Sequence, residues 1–388
     1  MRITVESSSN PGHIASKEEF EIFSGKSAGI CYMKENFEKL RNESKEKTLK
    51  RANGTKISGH HSVFDHDVIS LYLEDIPKAL AMVLNNEKMY TTSEKSARYT
   101  KMKADALESE LYFKWVDIFK DKIKGLYQEK YPDFFTDLRI EKLAQENARC
   151  IISVFTPTSM MYTVSYRQLN YIYGFMMSEI ESITKHPFYE KLVPYFKEFC
   201  DLVYKLGFID DTLVKNNKGR RLSLINSYDA EEYFGDVYIT SYKISLACLA
   251  QAQRHRTISY YFDYLEKPEF YIPDILLDDE KLKQEWLDDM NKVKDNLPEG
   301  LLVKVTESGS MDNFILKMME RKCSFAQLEI NKSTNEILNK YVKALKGKNH
   351  KRANEMEGYT HGARCTFKNF VCTSPCKFPL GIIETRKV

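Results

Sequence analysis

One strand followed directly by one helix is the order that most limits what this chain can become. It occurs as two pairs, and the second pair comes about 170 residues after the first. DVISLYL (67–73) has the β-branched and aromatic content of a strand, and Pro77 heads KALAMVL as a residue suited to a helix's first turn. YFGDVYITSYKISLACLAQAQRHR (233–256) repeats that order. CIISVF (150–155) reads as a strand, TPTSMM as a turn and MYTVSYRQLNYIYGFMM (161–177) as an apolar helix. LLVKVTE (301–307), followed by the helical run DNFILKMMERKCSFAQLEI (312–330), echoes it. A repeat of this length is too long for a solenoid and suits a duplicated domain. The expected class is α+β in two tandem copies, plus a short Cys-rich tail. The boundaries are 1–207, 208–345 and 346–388.

The connecting stretches fill in around this order. MRITV alternates as a short strand. SGKS (24–27) lacks the earlier glycine of a phosphate loop and reads as a turn. Residues 35–52 read as a solvated, lysine-rich helix. Residues 103–147 read as helical, with a break at Tyr131-Pro132. Residues 188–206 form an amphipathic helix ending at Gly207, and the acidic insert 274–295 a surface helix.

Net charge is only +3, with 29% charged residues, so bulk attraction to a polyanion is not implied. Small anions held by local clusters are the expected partners; nucleic acid is not. No apolar run approaches the roughly 20 residues of a membrane span. The start, MRITVESSSN, lacks the apolar core of a signal peptide, and cytoplasm is the expectation. Cys31, Cys150, Cys200, Cys248 and Cys323 are scattered in apolar surroundings, as reduced cysteines are. The tail differs: His361, Cys365, Cys372 and Cys376 give H-x3-C-x6-C-x3-C. Four soft ligands suffice for tetrahedral zinc; unliganded thiols in a short appendage are the alternative.

Several polar groups need partners. In QAQRHRTIS (251–259), Arg254 and Arg256 flank His255, and Gln251 would share a helical face with Arg254. Guanidinium groups suit phosphates, carboxylates and electron-rich rings; cations closing a helix C-terminus are the plainer reading. Glu94, Ser96 and Arg98 alternate, so an extended loop could point all three one way and hold a phosphate, or be an ordinary polar loop. Arg167 lies on an apolar segment and must find a salt bridge or an anionic ligand. His60, His61 and His66 lie close in sequence, but no carboxylate or cysteine pattern completes a metal site.

Together these pieces resemble the flavin-dependent thymidylate synthase family, and the resemblance implies a mixed sheet with flanking helices in each copy. GHHSVFDH (59–66) with SEKSARYTKM (93–102) is similar to the family's His-x-Ser/Thr segment and its Ser-x-Arg loop. Glu146–Arg149, TVSYRQL (163–169), QAQRHR and ERKCSFAQLEI also match family elements. The departures alternate. Asn86-Glu87-Lys88 stands at the first copy's RHR position, with Val83 at its glutamine. In the second copy RHR is intact, but YFDYLEK (261–267) replaces the Ser-x-Arg loop. Asp312 stands where the first copy has Arg167, and Met176 where the second has Arg321.

The family's sites take pieces from different subunits of a tetramer, so the resemblance implies one composite site kept per chain and a homodimer mimicking the tetramer. It implies that Glu94, Ser96, Ala97, Arg98, Arg149, Gln251, Arg254 and Arg321 grip dUMP, with Ala97 replacing the usual glycine. It assigns FAD to Ser62, Glu94, Ser165, Arg167, Arg254, His255 and Arg256, with Ser165 replacing the usual asparagine. His60 would lie near the flavin, and Arg254, Arg321 and His60 would be catalytic. By family analogy, methylenetetrahydrofolate supplies the carbon to C5 of dUMP, and FAD reduced by NADPH supplies the hydride. Rivals are a relative adding another one-carbon group, such as hydroxymethyl, and a non-catalytic nucleotide- or flavin-binding remnant.

Overall fold

The computed structural model describes residues 1–388 apart from Pro11, Glu35, 96–103, 182–186, 217–223, 226–229 and 379–385. Along the chain the elements are β1 (Arg2–Ser8), α1 (Lys17–Tyr32), α2 (Phe37–Arg41), α3 (Lys45–Ile57), β2 (Val68–Pro77), α4 (Lys78–Leu84), β3 (Thr91–Glu94), α5 (Ala106–Ile123), α6 (Asp137–Ala148), β4 (Pro157–Ser165), α7 (Tyr166–Ile180), α8 (Pro187–Lys205) and α9 (Asp211–Asn216). Then come β5 (Tyr233–Phe234), β6 (Val237–Ser245), α10 (Leu246–Ala252), β7 (Ser259–Tyr264), α11 (Glu280–Lys292), β8 (Leu302–Ser310), α12 (Met311–Arg321), α13 (Leu328–Gly347) and α14 (Ala353–Gly358).

Among the described residues the strands form two four-stranded sheets, ordered β1-β2-β4-β3 and β5-β6-β8-β7, and every pairing is antiparallel, which corrects the expected mixed sheet. Counted within each sheet, the two orders coincide. In each, a helix begins at once after the second strand and after the strand that pairs with it: α4 and α7 in the first, α10 and α12 in the second. Serine starts three of these helices. Ser165, Ser245 and Ser310 each accept the backbone N–H three residues on, which satisfies a donor that the helix start would leave unpaired. In the first sheet, period-two alternation buries Ile69, Leu71 and Leu73 of β2 opposite Val164, Tyr162 and Met160 of β4.

Four local expectations are corrected. SGKS lies inside α1, which a capping box of Ser16 and Glu19 starts; a Cβ on Gly25 would collide with the Thr48 carbonyl oxygen of α3, so glycine serves close helix contact there. Residues 35–52 form two helices instead of one, because Ser44 caps a new start. CIISVF is no strand. Arg149–Ile151 is a 3₁₀ turn, and the strand is β4, which begins within the expected turn. The apolar run misled because it is buried without belonging to a sheet, whereas Thr158, Met160, Tyr162 and Val164 alternate. Finally, 312–330 is two helices, parted at 322–327.

The chain divides into two compact units, Met1–Lys95 with Pro157–Leu222, and Ser96–Thr156 with Ser223–Val388. The units do not follow the sequence repeats. The helices between β3 and β4 leave the first sheet's unit, and the tail is not separate. In the second unit Trp115 of α5 packs edge-on against Trp286 of α11 at 4.9 Å, and Asp289 accepts from Trp115 Nε1 at 2.9 Å. The acidic insert is therefore half core: Trp286 and Met290 are fully buried. Among the described residues no helix is long and apolar enough to cross a membrane.

Asp67, just ahead of β2, is 4% exposed. Burial pushes its carboxyl up to about 7; the Ser24 hydroxyl pulls slightly the other way, though it falls short of hydrogen-bond geometry. A raised carboxyl favours the folded state below its unfolded pKa, and that contribution is lost as pH rises through 7. Asp67→Asn is expected to gain about 2 kcal/mol at pH 8 and nothing at pH 4, read from urea melts of the first unit's transition.

Candidate active site

The first turn of α13 is the hub of a polar cluster in the second unit. Gln327, at its N-cap, accepts from Arg149 Nη2 at 3.3 Å. Glu329 accepts from the Ser245 backbone N–H at 2.7 Å and from its hydroxyl at 2.6 Å. Asn331 donates to Arg321 O at 2.8 Å. One turn thus fixes Arg149, the start of α10 and the end of α12. Burial raises the Glu329 carboxyl to about 7, against the pull of the Ser245 bonds and Arg149.

α10 is a short helix that gives way to a pair of turns. Arg254 N–H donates to Gln251 O at 3.2 Å and His255 N–H to Ala252 O at 3.0 Å. The turn sends His255 inward, 7% exposed, while Arg254 and Arg256 face out. Arg321 Nε donates to His255 Nε2 at 2.6 Å and its Nη2 to Gln251 O at 3.3 Å. An acceptor Nε2 puts the imidazole proton on Nδ1. Burial, then the Arg321 and Lys317 cations, drive the His255 pKa down to about 2, so the ring is neutral. The Gln251 side-chain amide is buried at both ends with no hydrogen-bond partner. A buried amide without partners is costly, which makes it a natural point for a ligand.

Arg149 is 6% exposed, and its Nε faces Glu299 Oε2 at 3.8 Å, an ion pair too long for a hydrogen bond. Burial works against the charge, but Glu299 and Glu146 hold the guanidinium above its ordinary value. Permanently charged donors, a neutral imidazole and an unsatisfied amide make a cluster able to hold an anionic, hydrogen-bonding ligand.

The first unit has a cleft of about 440 Å³ lined by Asp65, Met89, Tyr90, Thr163, Ser165 and Arg167, among others. Arg167 Nη1 donates to Asp65 at 2.7 Å, and the Ser165 hydroxyl donates to the other Asp65 oxygen at 2.7 Å. The salt bridge expected for Arg167 is therefore present. Its Nε is buried with no hydrogen-bond partner, a donor left beside the cleft.

The remaining expected residues fall elsewhere. Ser96, Ala97 and Arg98 lie outside the described residues. Glu94 ends β3 instead of standing in a loop; its side chain is 3% exposed, in an ion pair with Lys78 and accepting from Asn85 at 2.9 Å. Ser62 and His60 are exposed, and the His60 ring meets Tyr32 edge-on at 6.3 Å. His61 is a buried core histidine bonded to Lys56 O at 2.9 Å. The zinc set is corrected. Among the described residues no three His, Cys, Asp or Glu side chains stand close enough to hold a metal ion, and His361 does not line the cavity that Cys365, Cys372 and Cys376 share.

Sequence reasoning missed Gln327, Glu329, Asn331, Glu299 and Asp65. A signal existed for Glu329: a carboxylate two residues after a glutamine, inside an otherwise apolar run, needs buried donors.

By fold and site this is an α+β protein with a largely buried arginine-histidine-glutamine cluster. Residues 18–180 match the family model for the thymidylate synthase complementing protein. Through that segment the chain is similar to this family. The flavin-dependent thymidylate synthase of Pyrococcus furiosus is 24% identical over 157 residues, which cover 37% of this chain and 59% of that relative. Similar solved structures include a UMP/dUMP methylase from Streptomyces cacaoi bound with 5-Br dUMP, 15% identical, covering 55% of this chain and 93% of that one at a TM-score of 0.35. A thymidylate synthase from Helicobacter pylori with FAD and dUMP is 12% identical, covering 55% and 99%, at a TM-score of 0.31. At TM-scores this low the two likenesses carry nothing further.

Proposed function

We propose that the chain is a flavoenzyme that methylates dUMP at C5, built as a tandem duplication with one composite nucleotide site per chain. Methylenetetrahydrofolate is the carbon donor and NADPH the reductant in this reading. One observation carries it: a single turn of α13 ties Arg149, from the first sequence repeat, to α10 and Arg321, from the second. The coincident strand orders of the two sheets support the duplication. The losses at Val83, Asn86 and Met176 are on the opposite copy from Gln251, Arg254 and Arg321.

The residues fit the groups this reading needs. The unpartnered Gln251 amide suits the uracil edge, which offers a donor between two acceptors. Arg321, held by His255 and the Gln251 carbonyl, stabilises negative charge on the ring as C5 becomes nucleophilic. A neutral His255 aligns that guanidinium without repelling it. Arg149 and the Ser96–Arg98 segment supply further anion binding. FAD, when bound, supplies the hydride. Ser165 and Arg167 beside the first unit's cleft and Arg254 and Arg256 beyond α10 are the candidates to hold it. Two chains pair as a homodimer.

Tritium release from C5-labelled dUMP with FAD, NADPH and the folate is expected, with thymidylate as the product by mass spectrometry. A hydroxymethylated product would select the neighbouring activity. No release, with dUMP still bound, would select the binding remnant. Titration is expected to give one FAD and one dUMP per chain; two per chain would overturn the composite site.

A further inference from the structure

Cys323, Cys365, Cys372 and Cys376 border one cavity of about 30 Å³, walled also by Phe325, Ala363, Phe378 and Arg364. No histidine and no carboxylate lines it. All four thiols are free and partly buried. They come from two places in the chain, and the backbone joins them. Arg364 N–H donates to Lys322 O at 2.6 Å, so Cys323 and Cys365 are the residues just after one hydrogen-bonded pair. The turn closed by Ala326 N–H on Cys323 O, at 2.9 Å, presents the first. The 3₁₀ turn Arg364–Thr366 presents the second. Arg364 is pinned by a bond from Nη1 to Met319 O at 2.9 Å, and its Nε is buried with no partner.

We propose that Cys323, Cys365, Cys372 and Cys376 form a structural zinc site, in which Cys323 takes the place expected of His361. Four sulfurs, with no histidine or carboxylate among the lining residues, select zinc among common divalent ions, as a closed tetrahedral site. A cavity of about 30 Å³ has room for one ion and none for a substrate. The thiols stand beyond ligand distance, since no three such side chains meet that condition among the described residues. Closure needs rotation of the cysteine side chains about χ1, toward a space they already border. On binding, the four thiols release four protons to solvent, and the dianionic centre faces the Arg364 guanidinium. The orphan Arg364 Nε–H is a donor for a ligand sulfur, the outer contact that such sites use. The site would staple the tail to the 322–327 loop, at a cysteine two residues after Arg321, and it does not depend on the proposed reaction.

The full chain is to be purified under reduction from zinc-supplemented medium, and its metal measured by mass spectrometry. One zinc per chain is expected. Cys323→Ser should lower zinc content roughly tenfold or more, while His361→Ala and Cys31→Ser leave it unchanged. Should Cys323→Ser be insoluble, cobalt substitution of the unaltered chain decides, through the charge-transfer intensity of four thiolates. Metal-free protein, full zinc in Cys323→Ser, loss in His361→Ala, or a non-reduced chain lighter by hydrogens lost to disulfides would each overturn the proposal.

Discussion

Glu307→Ala is expected to cost about 3–5 kcal/mol of the second unit's stability. The Glu307 and Lys317 side chains are both 0% exposed, with Lys317 Nζ 2.6 Å from the carboxylate. Tyr238 OH donates to the other carboxylate oxygen at 2.9 Å, and Tyr242 OH to the same one as Lys317. Removing the glutamate leaves an ammonium in the core with only the faces of Tyr242, Tyr260 and Phe314 near it, each more than 5 Å from the ring centroid. It also strands two hydroxyls. Aligned on the caps Ser165 and Ser310, Tyr162 and Ile172 occupy the matching positions of the first unit, and both are buried. The first unit therefore holds uncharged groups there, an isoleucine and a tyrosine whose hydroxyl donates to Leu84 O. The double variant Glu307→Leu with Lys317→Met should recover part of the loss, leaving about 1–3 kcal/mol for the stranded hydroxyls. Urea melts of the two variants, followed by near-ultraviolet circular dichroism, measure this. A single-variant loss below about 1 kcal/mol would mean that Lys317 finds another partner or water.

Arg321→Ala is expected to lower dUMP turnover by roughly 10²–10³-fold, if the guanidinium stabilises charge on the uracil. Its bonds to His255 Nε2 and to the Gln251 carbonyl run in different directions. A lysine keeps the charge and loses that fork, so Arg321→Lys should recover little. Asn331→Ala removes the bond to the Arg321 carbonyl without touching its side chain, and should cost far less. Steady-state tritium release, with thermal melts to establish folding, separates these outcomes. Equal losses in all three variants would point to collapse of the loop and not to chemistry at the guanidinium.

The site is legible in the sequence where its residues are local. Gln251, His255 and Arg321 stand out in two short motifs, and the structure brings them together. Arg167 is recognisable as needing a partner, but Asp65 is not recognisable as that partner, because nothing at a spacing of 102 residues marks the pair. Glu94 misleads because alternation alone does not tell an exposed loop from the end of a strand whose carboxylate meets Lys78 and Asn85. The zinc set errs in the same way. Spacing within the tail offers His361, whereas the fourth thiol at the shared cavity arrives from Cys323.

The sequence by itself determined that strand-helix pairs recur and where α4 and α10 lie, while local caps set the helix starts. Those depend on side-chain period and on capping serines, which act within a few residues. Only the tertiary structure decided that 96–156 joins the second unit and that the apolar run at Cys150 is no strand. Contacts such as Trp115 on Trp286 and Arg149 on Gln327 join residues far apart in the chain, and no local pattern encodes which distant surface will cover an apolar segment.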